Sequence, residues 1–109
     1  MDGDYVANGA GGQVGLTGEE ALLQRVLFRL TARRGMFPLL PELGSRLWLL
    51  GRESGSGRLS AAREYVAEAL AEEDVAVETV TLTDAGGGRL RLTAELLGRE
   101  GGLTAVVTI

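Results

Sequence analysis

Few side chains in this chain could do chemistry. Asp and Glu number 15 against 11 Lys plus Arg, for a net charge of −4, and there is no Cys and no His. Disulfides and thiolate metal sites are therefore excluded, and the usual zinc ligands and the usual general base are missing. All the basic residues are Arg, which removes Schiff-base and phosphate-loop lysine chemistry. Glu19, Glu20, Glu42 and Asp74 are the candidates for the paired carboxylates that cleave glycosides. Each has a simpler explanation at a helix end, and five aromatics in all leave little to build a sugar platform. Ser45 has no His to activate it. Gly86-Gly87-Gly88 precedes Arg89 and a strand pattern, where a phosphate loop needs Lys-Ser/Thr and a helix, so it reads as a hairpin turn. Gly9-Ala10-Gly11-Gly12 lacks a preceding buried strand and reads as a linker. No catalytic, cofactor or metal site is expected. The acidic balance also argues against nucleic acid as a partner.

What remains is surface chemistry. Arg25, Arg29 and Arg33 recur at i, i+4 and i+8, a basic stripe that is either a solvated face or a dock for an acidic partner. The chain is 45% hydrophobic but only 5% aromatic, so its core must be Leu, Val and Ala. A small domain this rich in leucine, with positive mean hydropathy, is expected to spend some apolar surface on a partner. No membrane contact is expected, because the longest uninterrupted apolar run is Leu47 to Leu50. Met1 to Ala10 carries two Asp and no Arg, the reverse of an export signal, so synthesis in the cytoplasm is expected.

The elements that must position these residues follow from periodicity. Residues 1–16 are Gly-rich and read as a flexible arm, with Tyr5 and Val6 able to anchor an edge strand. A domain over 17–109 follows. Thr17 and Glu20 form a capping box that opens a helix over 17–34. Leu23, Val26, Leu27 and Leu30 make its buried stripe, Arg33 and Arg34 sit in its last turn, and Gly35 caps it. Met36 to Pro41 reads as an extended connector, with Phe37 and Leu40 plugging the core. A short helix is expected over 42–51, with Gly44 marking close backbone approach and Gly51 as its stop. Residues 51–57 read as a flexible loop. A third helix is expected over 58–73, with Arg63, Glu64, Glu68 and Glu72 outside.

From Val75 the period becomes two. Strands are expected over 75–83, 89–97 and 103–109, joined by the turns at 84–88 and 98–102. The architecture is α+β, three helices on a small C-terminal three-stranded antiparallel meander. Its last strand, Leu103, Thr104, Ala105, Val106, Val107, Thr108 and Ile109, has neither charge nor proline. An edge like that must be covered by the chain itself or paired with a partner strand.

Residues 23–37, Leu-Gln-Arg-Val-Leu-Phe-Arg-Leu-Thr-Ala-Arg-Arg-Gly-Met-Phe, and 41–47, Pro-Glu-Leu-Gly-Ser-Arg-Leu, complete the pattern. They resemble the baseplate wedge family of contractile phage tails, often labelled lysozyme-like and related to the sheath-associated baseplate component of type VI secretion. The shared signature falls on Leu30, Thr31, Gly35, Pro41, Gly44 and Ser45, and the likeness runs over about 17–109. Asp74 keeps the acidic position that family members follow with Pro-Arg; Val75 and Ala76 stand there instead. The resemblance implies a structural protein of the particle's tail baseplate without enzymatic activity. Its partners would be other wedge subunits and the tail sheath protein, with the tail tube or spike hub as further neighbours. It also implies that the terminal sheet resembles the strand-exchanging part of a sheath subunit and templates sheath assembly. A generic cytoplasmic adaptor or, less readily, a small glycoside hydrolase are the alternative readings.

Overall fold

The computed structural model describes residues 18–52 and 55–109. The arm at 1–16, with Tyr5 and Val6, and the Thr17 cap lie outside the described residues, as do positions 53 and 54 within the 51–57 loop. The elements are α1 (Gly18–Thr31), a 3-10 helix (Leu47–Arg52), α2 (Ser56–Ala69), and the strands β1 (Ala76–Gly86), β2 (Arg89–Gly98) and β3 (Gly101–Thr108). The strands form one antiparallel sheet in the order β1-β2-β3. The expected α+β class and meander are therefore present.

The core lies between one face of the sheet and the helices. Val26 and Leu30 of α1, Ala62, Val66 and Ala69 of α2, and Leu47 and Leu50 of the 3-10 helix meet Val80, Leu92, Ala94, Leu96, Leu103, Ala105 and Val107 of the sheet. Burying each of the larger aliphatic side chains contributes about 1.5–3 kcal/mol relative to leaving it in water. Alternation along β3 is strict, with Leu103, Ala105 and Val107 inside and Thr104, Val106 and Thr108 outside. Along β1 the inward residues are Val77, Val80 and Leu82, so their spacing changes from three to two. The sheet absorbs this with a register shift between Val77 and Thr79, which leaves Glu78 as the extra residue. The β1–β2 loop is Gly87-Gly88, both with positive φ (62° and 78°), the conformation of a mirror-image hairpin turn. The β2–β3 loop is Arg99-Glu100, again two residues. Both connections are tighter than the expected turns at 84–88 and 98–102.

Three helical expectations need correction. First, α1 ends at Thr31 rather than at 34, so Arg33 and Arg34 are not in its last turn and Gly35 does not cap it. The cause is tertiary. The Ala32 carbonyl accepts the Ser45 N–H (2.8 Å) and the Arg34 N–H donates to the Ser45 carbonyl (2.9 Å), an isolated parallel bridge that competes with another helical turn. Second, no helix starts at 42, because Gly44 has φ +103° and a right-handed helix cannot pass through it. The chain instead makes a 3-10 helix at 47–52 that runs through Gly51 rather than stopping there. Third, α2 runs over 56–69 instead of 58–73, and Glu68 is half-buried rather than solvated.

The segment between α1 and the 3-10 helix also differs from an extended connector. Phe37 and Leu40 are 38% and 57% exposed, so neither plugs the core. Successive turns are closed by Met36 N–H to Arg33 O, Leu40 N–H to Phe37 O and Leu43 N–H to Leu40 O. Pro38 and Pro41 each take the second position of a turn, where their fixed φ fits. Turns of this kind throw their central side chains outward, and the core has already been filled by Leu47 and Leu50.

Ser45 locks this segment down. It is 2% exposed, its hydroxyl donates to the Leu30 carbonyl (2.7 Å), and the same oxygen accepts the Leu47 N–H (3.3 Å). A Cβ on Gly44 would stand 2.7 Å from the Ala32 carbonyl oxygen and 2.9 Å from backbone atoms of Arg33 and Arg34. The close approach expected at Gly44 is thus real, although its setting is not a helix. In urea or thermal unfolding, Ser45→Ala is expected to cost about 1–3 kcal/mol, the penalty for stranding buried polar groups. Gly44→Ala is expected to cost at least as much, whereas Gly51→Ala, with nothing near its added Cβ, should fall within about 1 kcal/mol of the parent.

Candidate partner interface

The two outer strands of the sheet are unlike one another. β1 carries Glu78 and Asp84 and has register irregularities at both ends, features that obstruct pairing along a sheet edge. β3 is regular from Gly101 to Thr108, without charge or proline. The pairing pattern says which of its backbone groups are free. Leu90 and Ile109 exchange both hydrogen bonds, Ile109 N–H to Leu90 O (2.8 Å) and Leu90 N–H to Ile109 O (3.3 Å). Antiparallel pairs alternate between bonded and non-bonded, so Val107, Ala105 and Leu103 bond to β2. The N–H and C=O groups of Thr104, Val106 and Thr108 then point away from β2, along the outer edge. Among the described residues no hydrogen bond reaches them. Leu103, Ala105 and Val107 anchor the strand in the core while the exposed Val106 gives the outer face an apolar spot.

The basic stripe is arranged differently from a free row of cations. Glu73, just past α2, has its side chain 6% exposed and receives Arg25 Nε (3.2 Å) and Arg29 Nε (2.7 Å). Arg29 also lies 3.8 Å from Glu72. Arg33 turns elsewhere, its guanidinium 4.7 Å from the centre of the Trp48 ring. The i, i+4, i+8 spacing therefore places Arg25 and Arg29 together on one carboxylate and separates Arg33 from them.

A second carboxylate was missed by sequence reasoning because its partners are distant in the chain. Glu68 receives Arg46 through Nε (2.9 Å) and Nη2 (2.5 Å), with Arg34 Nε 3.8 Å away. Arg34 Nη2 also donates to the Glu68 carbonyl (3.3 Å), and Arg46 lies over the Tyr65 ring. The Arg46 hydrogen bonds, assisted by Arg34, hold the Glu68 carboxyl below the usual carboxylate range, and Glu68 raises Arg46 in return.

The remaining signature residues also have structural places. Leu30 is buried, the Thr31 hydroxyl donates back to the Leu27 carbonyl (2.8 Å), and Gly35 and Pro41 lie in the exposed turns. Asp74 pairs with Arg99 of the β2–β3 loop, and Val75 packs partly buried against the core. Of the hydrolase candidates, Glu19 and Asp74 line one cleft of about 250 Å³ with Glu100, Arg25 and Arg99, and none of its lining residues is aromatic. Glu42 is exposed outside that cleft.

No protein-family model matches the chain, and no curated protein matches it. Among solved structures, the chain is similar to the crystal structure of a Geobacter sulfurreducens protein provisionally named a tail lysozyme. The TM-score is 0.73 and the identity 21%, with the match covering 90% of this chain and 95% of that one. The two share a fold over nearly their whole lengths.

The Glu68 cluster makes a prediction about pH. A carboxyl held low in the folded state contributes stability that is present above its unfolded value and is lost as pH falls through its folded value. Glu68→Gln should therefore be less stable than the parent near pH 7, and the gap should close on acidification below about pH 4, as followed by thermal melts. A constant gap from pH 7 to pH 3 would show that the ion pairs are not its source.

Proposed function

We propose that this chain is a non-enzymatic structural subunit of a contractile phage tail or a related injection particle, placed in the baseplate wedge beside the tube. Its partners are other wedge subunits and the tail sheath protein, with the tail tube or spike hub as further neighbours. Its β3 edge accepts a strand from a neighbouring chain, and this addition starts the first ring of sheath. The observation that carries the reading is the set of outward N–H and C=O groups on Thr104, Val106 and Thr108, unpaired among the described residues on a strand that carries no charge. Main-chain bonding along such an edge supplies affinity, and outward side chains supply selectivity. The fold shared with a protein named for a tail supports the setting, as does the signature at Leu30, Thr31, Gly35, Pro41, Gly44 and Ser45. Arg25 and Arg29, already held by Glu73, serve such a partner less directly than the strand does. Arg33 has no carboxylate among the described residues and keeps its charge available.

Val106→Pro separates assembly from folding. The Val106 N–H faces away from β2, so proline there removes an edge donor without breaking the internal ladder. The variant should melt within a few degrees of the parent and yield particles whose baseplates carry no sheath, by electron microscopy of a producing strain. Normal sheath on Val106→Pro particles would overturn the strand-addition mechanism. Purified parent protein is expected to release no fragments from cell walls, and Asp74→Asn and Glu42→Gln are expected to match it. Cleavage that either variant abolished would establish the hydrolase reading instead.

A further inference from the structure

A second surface is independent of the β3 edge. Phe28 on α1 is 49% exposed and its ring packs against that of Phe37 at 6.2 Å between centroids. The turns that follow hold Met36, Leu39 and Leu40 outward at 65%, 93% and 57% exposure. Large apolar side chains gathered on one rigid segment of a small domain mark a contact surface. The segment is rigid because its two prolines set its turns and Ser45 fastens its end to α1. Beside it, Trp48 is 41% exposed with Arg33 4.7 Å from its ring centre and Arg52 5.9 Å. Neither guanidinium has a carboxylate partner among the described residues, whereas Arg25, Arg29, Arg34, Arg46 and Arg99 all do.

We infer that the Phe28–Leu40 surface docks a segment of a different protein that is apolar at its centre and acidic at its margin. The apolar centre covers Phe37, Leu39 and Leu40, and the acidic margin meets Arg33 and Arg52 over the Trp48 ring. Charge decides against a second copy of this chain. A two-fold contact would set the surface against itself and bring together four guanidiniums that have no carboxylate partner among the described residues. An acidic segment compensates them, and their stacking on the indole pre-orders them for it.

Trp48 is the only tryptophan, so its fluorescence reports on the site directly. The probes are three synthetic 18-residue amphipathic helical peptides with the same Leu/Phe face, bordered by Glu, by Lys or by Gln. The Glu peptide should shift Trp48 emission and the amide resonances of 36–40, and should weaken as salt is raised. Leu39→Asp, at a position too exposed to affect folding, should weaken it at least tenfold. Arg33→Glu combined with Arg52→Glu should reverse the preference from the Glu to the Lys peptide. Equal binding of the three peptides by the parent, no binding of any, or resonance shifts confined to other surfaces would overturn the inference. So would sedimentation showing a dimer of the parent that Leu39→Asp dissolves, since the surface would then belong to a second copy. Val106→Pro should bind the Glu peptide as the parent does, so failure here and failure of strand addition are read separately.

Discussion

The structure depends on one buried hydroxyl. Ser45 ties the carbonyl of Leu30, in the last turn of α1, to the N–H of Leu47, at the start of the 3-10 helix. Its own backbone also bonds on both sides to Ala32 and Arg34. These bonds satisfy groups that the end of a helix leaves open, and they do so with a residue from the far side of a thirteen-residue excursion. Gly44 is required beside it because the two backbone segments run closer than any Cβ permits. With that junction closed, Leu47 and Leu50 enter the core and the turns between are held out in solvent.

The two surfaces proposed above as contact faces follow from how this core is filled. A single sheet face takes the side chains of α1, α2 and the 3-10 helix, and leaves two sheet edges. β1 is obstructed by its bulge and carboxylates; β3 runs straight and neutral. The turns between Gly35 and Leu43 cannot bury their apolar residues, since the positions they would occupy are taken. Their exposure reflects this packing.

The carboxylates act chiefly as cross-links. Glu73 gathers Arg25 and Arg29 from α1, and Glu68 on α2 gathers Arg34 and Arg46 from the segment that follows α1. Each therefore joins α2 or its end to chain that precedes it by more than twenty residues. The pairs that are half-exposed add little energy individually, but they fix the relative placement of the elements that carry the exposed turns.

Local pattern alone determined two of the helices, the three strands and their order, but not the 3-10 helix that replaces the one expected over 42–51. The apolar residues at i, i+3, i+4 and i+7 marked α1, the change to period two at Val75 marked the meander, and the glycine-rich stretches at 84–88 and 98–102 marked its turns. The same alternation identified β3 as a strand without charge, an edge that must be covered by the chain itself or paired with a partner strand. Composition, with no His and five aromatics, speaks against a glycosidase without reference to the fold. Three things were decided only by the tertiary structure. Where α1 stops depends on competition from Ser45, whose N–H bonds to Ala32 thirteen residues earlier, a contact that no local propensity contains. Whether Phe37 and Leu40 are buried depends on how much core volume Leu47 and Leu50 have already filled. Which arginines are free depends on the approach of Glu68 and Glu73, because a charge's partner is set by distance in space and periodicity gives only its direction.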